Sequence, residues 1–183
     1  MSILCVDLDG TLIHNDTFSL SLRIFLKKHP FYGIAIMLPW LFKGIECLKR
    51  QVAKRVNIDF KQLAFCNPVL CYIQRYRSSC KGKIYLVTGT DIKYARMIAD
   101  ELQVFDGVEA SNGRVNLVGE KKAQRLCKIF GEGKFDYIGN SYKDLHVWKY
   151  CKTAIPVNTS SRLLQKLKKS HQNVDLIFCA NKD

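Results

Sequence analysis

Two aspartates separated by one residue give the N-terminal part of the chain its clearest capacity for chemistry. Asp7 and Asp9 follow the apolar run Ile3–Val6. At this spacing one carboxylate can attack phosphorus while the other transfers protons, and both can offer oxygens to Mg²⁺. Gly10 permits a turn that a larger residue would obstruct, and Thr11 adds a hydroxyl. An ordinary Asp-rich loop is the alternative interpretation of the pair.

Alternating strands and helices are predicted to position these aspartates. The predicted strands cover residues 3–6, 83–87, 135–138 and 153–157. Predicted helices cover residues 91–102, 121–130, 145–151 and 161–169, and Thr90 is the predicted N-cap of the first of them. Short extended segments over 108–118 around Asn112-Gly113 suggest a hairpin, and 174–179 suggests an edge strand. The pattern predicts an α/β fold with a Rossmann-like parallel sheet.

A long helical stretch interrupts this alternation after the first strand. Helical segments are predicted over 20–26, 31–42, 45–56 and 68–77, with a stop near His29-Pro30 and a kink at Pro39. The stretch is too long for one crossover helix, so residues 17–79 are predicted to form an inserted all-helical cap. Residues 1–16 and 80–183 then form the core domain.

Polar turns follow three of the predicted strands, after Val6, Val87 and Ile138. Because ligands bind at the carboxyl ends of strands in open α/β sheets, these turns are expected to meet at one site. The second turn is Thr88-Gly89-Thr90, and the third is Gly139-Asn140-Ser141.

The segment Val6-Asp7-Leu8-Asp9-Gly10-Thr11 resembles the first motif of haloacid dehalogenase (HAD) phosphatases, and three weaker motifs follow in order. The resemblance covers nearly the whole chain. It implies the HAD fold with a helical cap and a Mg²⁺-dependent hydrolysis of phosphate monoesters through an aspartyl-phosphate intermediate. A dehalogenase would need neither Asp9 nor a magnesium cluster.

The resemblance also implies a role for each motif residue. Asp7 is the nucleophile, Asp9 the general acid and base, Thr88 a ligand of the phosphoryl oxygens, and Lys122 the cation that neutralises phosphate and nucleophile. Substrate binding falls to Thr11, Gly89 and Lys122, and Mg²⁺ binding to Asp7, Asp9, Asn140 and Asp144. Plainer alternatives are a helix-capping neighbour for Thr88, a surface position for Lys122 with Lys121 in its role, and a helix cap for Asp144.

Asn140 departs from the family pattern, which usually has an aspartate there. The amide still offers a carbonyl oxygen but no charge, so weaker metal binding is expected. HAD domains fused to UbiA-type prenyltransferases are similar to this chain in the Gly-Asn-Ser-x-x-Asp fourth motif and the basic helical cap. That resemblance implies a stand-alone relative, because no stretch is long enough for the membrane enzyme. The cap position also resembles that of phosphoserine phosphatases.

The net charge of +13 favours anionic partners. We expect a phosphorylated small molecule or a lipid-linked phosphate as substrate, and no specific nucleic-acid binding because no such motif is present. The eight cysteines are scattered, and Asp7 and Asp9 interrupt the first apolar run, so a cytoplasmic protein with reduced, mostly buried thiols and no signal peptide is expected.

Residues 31–42 form an apolar run flanked by Lys27, Lys28, Lys43, Lys49 and Arg50. One interpretation is a helix that makes peripheral contact with anionic lipid; the other is packing of the cap against the core. The competing function for the whole chain is a catalytically degenerate HAD scaffold that serves as a basic membrane- or nucleic-acid-binding module.

Overall fold

Five parallel strands form the centre of the computed structural model, which describes residues 2–80, 82–171 and 173–177. The strands are β1 (Ile3–Val6), β2 (Lys83–Asp91), β3 (Gly107–Ser111), β4 (Asp136–Gly139) and β5 (Thr153–Pro156). Their order is β3-β2-β1-β4-β5, so β1 is central, and Val6 is paired with Leu86 of β2 and Ile138 of β4. The predicted α/β fold with a parallel sheet is confirmed.

Eight α-helices accompany the sheet in the described residues. They are α1 (Thr17–Lys28), α2 (Gly33–Phe42), α3 (Ile45–Arg55), α4 (Asn67–Cys80), α5 (Ile92–Leu102), α6 (Glu120–Phe130), α7 (Leu145–Trp148) and α8 (Ser161–Ser170). Short 3-10 helices cover Phe60–Gln62 and Tyr142–Asp144.

Both faces of the sheet are covered, which explains the continuous apolar character of its strands. Leu4 and Val6 belong to a cluster that α4 and α5 complete, whereas Cys5, between them, packs in a second cluster with residues of α6, α7 and α8. Successive residues of β1 therefore point to opposite faces. The central strand is buried on both sides, and its last residue leads directly to Asp7.

Helices α1, α2 and α3 form a separate apolar cluster around Phe25, Leu48 and Val52. Helix α4 instead contributes Val69 and Ile73 to the cluster that contains the strands. Helix α4 is thus the crossover helix that returns the chain to β2, and the cap boundary at residue 79 stays a prediction.

The hairpin predicted over 108–118 is wrong. Gly107–Ser111 forms β3, which pairs in parallel with β2, and residues 114–118 contain no strand. The turn itself is present: Gly113 has a φ of 86°, and the Asn112 N–H donates to the Val115 carbonyl at 3.3 Å. Pairing with a neighbour distant in sequence replaces the local pairing that the turn suggested.

Two smaller predictions also need correction. Asp91, not Thr90, is the N-cap of α5, since its carboxylate accepts the Lys93 N–H at 3.0 Å. Instead of an edge strand over 174–179, the described residues contain a single bridge between Val174 and Ala154, and residues 178 and 179 lie outside the described range.

Half of the six cysteines whose side chains are described are buried. Cys5, Cys66 and Cys151 are buried, Cys47 and Cys127 are partly buried, and Cys71 is exposed. Burial raises the pKa of Cys5, which keeps that thiol protonated and unreactive.

Candidate active site

A polar cavity of about 350 Å³ opens at the carboxyl edge of the sheet. It contains residues from all four motif regions of the sequence: Asp7, Asp9, Thr88, Gly89, Lys122, Asn140 and Asp144. Asp7 follows the central strand, and its N–H donates to the Ile138 carbonyl at 3.0 Å, which extends the β1–β4 pairing into the site. The strand ends thus bring together side chains that are up to 137 positions apart in the sequence.

Lys122 is the centre of a buried group of four side chains, which we call the Lys122 cluster: Asp7, Lys122, Tyr137 and Asp144. Its Nζ donates to Asp7 Oδ1 at 2.8 Å and to the Tyr137 hydroxyl at 2.9 Å. The Tyr137 hydroxyl donates to Asp144 Oδ1 at 2.7 Å, and that oxygen is 3.7 Å from Lys122 Nζ. Lys121, the alternative for this role, lies one position earlier in α6, and its side chain is exposed.

Burial and charge act in opposite directions on this cluster. Burial raises the pKa of Asp7 to about 7, although the nearby Lys122 ammonium lowers it. For Lys122 itself burial favours the neutral amine, but Asp7 and Asp144 more than offset this, so its pKa is raised and it stays a cation. Burial and the Asp144 charge raise the pKa of Tyr137, which therefore keeps its proton as a hydrogen-bond donor.

The second aspartate is held by the cap and by β2. Asp9 Oδ1 accepts the Thr17 N–H at 2.8 Å at the start of α1, and Oδ2 accepts the Thr90 hydroxyl. The Thr17 and Thr90 hydroxyls are themselves 2.6 Å apart. Burial raises the pKa of Asp9, while the Thr90 and Thr17 hydrogen bonds limit the rise. A carboxyl group with a raised pKa is suited to protonating a leaving group near neutral pH.

Thr88 and Gly89 lie on the β2 side of the cavity. The Thr88 hydroxyl accepts the Thr90 N–H at 3.0 Å, which leaves its own proton available to a ligand. The Gly89 carbonyl accepts Lys49 Nζ at 2.9 Å. Lys49 comes from α3, so it brings a cation to the cavity from a different element than Lys122, and partial burial lowers its pKa.

Thr11 is the predicted site residue that the structure does not bring into the cavity. Its side chain is fully buried, and its hydroxyl has no hydrogen-bond partner among the described residues. Gly10, just before it, has a φ of 74°, and an added Cβ would collide with the side-chain amide of Asn140. The glycine is therefore required where the Asp7–Thr11 loop passes the fourth motif.

The four residues predicted to bind Mg²⁺ differ in how free their oxygens are. Both oxygens of Asp9 accept hydrogen bonds, and Asp144 Oδ2 accepts the Ser141 N–H at 2.9 Å and hydroxyl at 2.8 Å in a capping box. Asp7 Oδ2 and the side-chain amide of Asn140 have no hydrogen bond among the described residues, although the Asn140 backbone N–H donates to Asp144 Oδ2 at 3.2 Å. No group of three acidic, His or Cys side chains spaced for a metal occurs there either.

These oxygens fit a Mg²⁺ site with few ligands from the protein. The ion commonly binds one or two protein oxygens and completes its coordination with water and substrate phosphate. Asn140 and Asp7 are the two side chains that suit this role, because Asp7 Oδ1 accepts only the Lys122 hydrogen bond and keeps a lone pair for a cation, which leaves Oδ2 unengaged. Asp144 serves instead to hold the loop after β4 and to balance the charge of Lys122.

Three residues of the site were not found from the sequence. Tyr137 lies inside an apolar strand, where an aromatic residue is usually core, and nothing local marks its hydroxyl as functional. Thr90 was interpreted only as a helix cap, and Lys49 only as one cation of a basic helix. The signal for all three is spatial, because each contacts a motif residue at least 15 positions away.

Comparison with known proteins gives one relative in sequence. The uncharacterized protein y4nM of Sinorhizobium fredii is 34% identical over 170 residues, which cover 93% of this chain and 32% of the relative. The chain thus spans 32% of the length of the relative it matches. No family model matches the chain.

Solved structures match nearly the whole chain. A Bordetella pertussis protein of unknown function aligns with a TM-score of 0.71 at 14% identity, covering 97% of this chain and 99% of that one. A HAD family hydrolase, t0658 of Salmonella enterica serovar Typhi, aligns with a TM-score of 0.64 at 10% identity, covering 95% of this chain and 66% of that one. A phosphoserine phosphatase bearing a phospho-aspartyl intermediate analogue aligns with a TM-score of 0.60 at 16% identity, covering 94% of this chain and 92% of that one.

The chain has the HAD fold. At these identities the likeness concerns architecture, and it confirms the fold that the sequence motifs predicted. The narrower resemblance to HAD domains fused to UbiA-type prenyltransferases is not shown by these matches and stays a prediction.

Proposed function

We propose that the chain hydrolyses phosphate monoesters, with Asp7 as the nucleophile. The observation that carries the proposal is the buried Asp7–Lys122 ion pair, 2.8 Å long, inside a polar cavity at the carboxyl end of the central strand. The cation orients one carboxylate oxygen and leaves Oδ2 as the attacking atom. The HAD fold, which a phosphoserine phosphatase shares, supports this assignment.

In the first step Asp7 Oδ2 bonds to phosphorus as the bond from phosphorus to the leaving oxygen breaks. Asp9 donates its proton to that oxygen, so the alcohol departs neutral. Lys122 and the Thr88 hydroxyl stabilise the negative charge on the phosphoryl oxygens. Asp7 and Asn140 would hold Mg²⁺, which would supply further positive charge at the phosphate.

In the second step the aspartyl phosphate is hydrolysed. Asp9, now a carboxylate, takes a proton from water as the water oxygen bonds to phosphorus and the bond from phosphorus to Asp7 breaks. Inorganic phosphate leaves, and Asp9 is again protonated for the next cycle. The raised pKa of Asp9 suits both of its roles.

The substrate that we propose is a small or lipid-linked phosphate. Lys49 and Lys143 line the cavity in addition to Lys122, so a phosphate group there is surrounded by cations from the cap, from α6 and from the fourth motif. This favours an anionic substrate with a group that extends toward the cap.

Phosphate release from an aryl phosphate and a panel of monoesters tests the proposal, with Mg²⁺ and with EDTA. Asp7→Asn should lower turnover at least about a thousand-fold, because the nucleophile is lost. Asp100→Asn, an exposed aspartate of α5, is the matched control and should keep full activity. Full turnover in Asp7→Asn would overturn the mechanism.

The second candidate is a binding module on an inactive HAD scaffold. The hydrogen bonds that occupy both oxygens of Asp9 and of Asp144 favour it, because they remove two of the four predicted metal ligands. No turnover on any substrate, combined with no Mg²⁺ binding by calorimetry, would support this candidate over the phosphatase.

A further inference from the structure

Helix α2 presents an apolar face to solvent. Phe31 and Phe42 are 95% and 89% exposed, and Ile34, Leu38 and Leu41 between them are exposed as well. At 3.6 residues per turn Ile34, Leu38, Leu41 and Phe42 fall on one side of the helix, and Phe31 lies in the turn just before it. We call these five residues the α2 stripe. No residue of Gly33–Phe42 is charged.

The stripe is not a by-product of poor packing in the cap. On the opposite side of α2, Ile36, Met37 and Trp40 pack against the cluster formed by Phe25, Leu48, Val52 and Val56. The helix is therefore seated in the cap by one face while the other points outward. Contiguous exposed apolar surface of this kind marks an interaction site.

Basic residues border the stripe at both ends. Lys27 and Lys28 end α1 just before it, Lys43 follows α2, and all three are exposed. The Arg55 guanidinium lies 4.5 Å from the centre of the Trp40 ring. From Thr17 to Arg55 the cap contains eight Lys and Arg residues and one acidic residue, Glu46.

An apolar face with a cationic border is the arrangement by which a helix lies in the interface of an anionic bilayer. We propose that α2 docks the chain onto an anionic lipid bilayer, with the stripe at the boundary of the acyl chains and the lysines at the headgroups. Ten residues give a helix about 15 Å long, half of a bilayer's hydrocarbon thickness, so α2 lies on the membrane. No helix within the described residues is long and apolar enough to cross a membrane.

The charge of the cap favours an anionic bilayer over a second copy of the chain as the partner of the α2 stripe. A dimer through the α2 stripe would bring two caps together, each with eight basic residues and one acidic residue between Thr17 and Arg55. Their repulsion opposes self-association, whereas anionic headgroups neutralise the same charges. An anionic lipid surface therefore satisfies both the apolar and the basic parts of this face.

Flotation of the 183-residue chain with vesicles tests the proposal. Vesicles of equal parts phosphatidylcholine and phosphatidylglycerol should carry the protein upward, and vesicles of phosphatidylcholine alone should carry much less. The double variant Phe31→Ser, Phe42→Ser should weaken binding at least about ten-fold, because both rings lose their burial in lipid. Replacing Lys27 or Lys28 by Gln should weaken it about five-fold each.

Matched variants elsewhere complete the design. Ile129→Ser changes an exposed apolar residue of α6, and Lys128→Gln an exposed lysine beside it; both should bind vesicles like the unchanged chain. Asp7→Asn should also bind fully, because docking does not depend on catalysis. The proposal is overturned by equal binding of the Phe31→Ser, Phe42→Ser variant, by no binding to anionic vesicles, or by a lipid-free dimer that this variant abolishes.

Discussion

The Lys122 cluster and the α2 stripe differ in how their side chains relate to water. The cluster buries two carboxylates, an ammonium and a hydroxyl, and its short contacts of 2.7 to 2.9 Å pair them within the protein. The stripe leaves aromatic and aliphatic side chains between about half and almost fully exposed to solvent. Both arrangements are unfavourable for a lone domain in water. The first is balanced internally and serves chemistry, whereas the second points to a partner outside the chain.

Removing the central cation should have the largest effect on stability. Lys122→Met leaves the buried carboxylates of Asp7 and Asp144 without their ammonium, and we expect the free energy of unfolding to fall by about 3–5 kcal/mol. Urea denaturation measures this. Lys121→Met, at the exposed neighbouring position, should change stability by less than about 0.5 kcal/mol. Similar values for the two variants would contradict the account of the cluster.

Tyr137 is a positioning residue, and its hydroxyl should matter at an intermediate level. Tyr137→Phe removes one hydrogen bond to a cation and one to a carboxylate, for which we expect a loss of about 1.5–3 kcal/mol in unfolding free energy. If the hydroxyl orients Lys122, kcat should fall with little change in KM. Tyr142→Phe, an exposed tyrosine, is the control and should alter neither quantity.

The buried Asp7 should give a smaller effect that depends on pH. Its pKa is about 7 in the folded chain against a reference value of 3.8, so the folded state binds the proton more tightly. The resulting stabilisation is complete below pH 4 and is lost as the pH rises through 7. In EDTA, the unfolding free energy of Asp7→Asn relative to that of the unchanged chain should therefore rise by about 1–2 kcal/mol between pH 6 and pH 8. A constant difference from pH 4 to pH 8 would contradict the burial of an ionisable Asp7.

The α2 stripe should give the smallest effect on folding. Phe31→Ser with Phe42→Ser should leave the unfolding free energy within about 0.5 kcal/mol, because neither ring packs in the cap. Thermal unfolding without lipid checks this. A decrease of more than about 2 kcal/mol in the unfolding free energy would show that the stripe stabilises the fold. The stripe would then not differ from the Lys122 cluster in the way described above.

The features that local pattern determines were predictable from the sequence. The apolar run of β1 and the Asp-x-Asp-Gly-Thr turn located Asp7 and Asp9 without knowledge of the fold, and strand-helix alternation placed Thr88 and Asn140 near them. The resemblance to the HAD motifs added Lys122, and its spacing after Gly119 favoured it over its neighbour Lys121.

What the sequence could not provide depends on contacts between distant segments. The Asn112-Gly113 turn predicted a hairpin, but β3 pairs in parallel with β2, in a register that places Gly107 beside Tyr85, 22 positions earlier. Tyr137 carries no local mark, because only the fold places its hydroxyl between Lys122 and Asp144. The apolar run over residues 31–42 likewise does not show which of its side chains are buried, because that depends on how α2 packs against α1 and α3.

Chemical trapping of the intermediate tests the central claim most directly. The chain would be mixed with the best monoester in Mg²⁺, quenched in acid and reduced with borohydride, and its peptides analysed by mass spectrometry. An aspartyl phosphate on Asp7 predicts conversion of that residue to homoserine, dependent on substrate and absent in Asp7→Asn. Turnover without any modification of Asp7, or with modification at another carboxylate, would contradict the account.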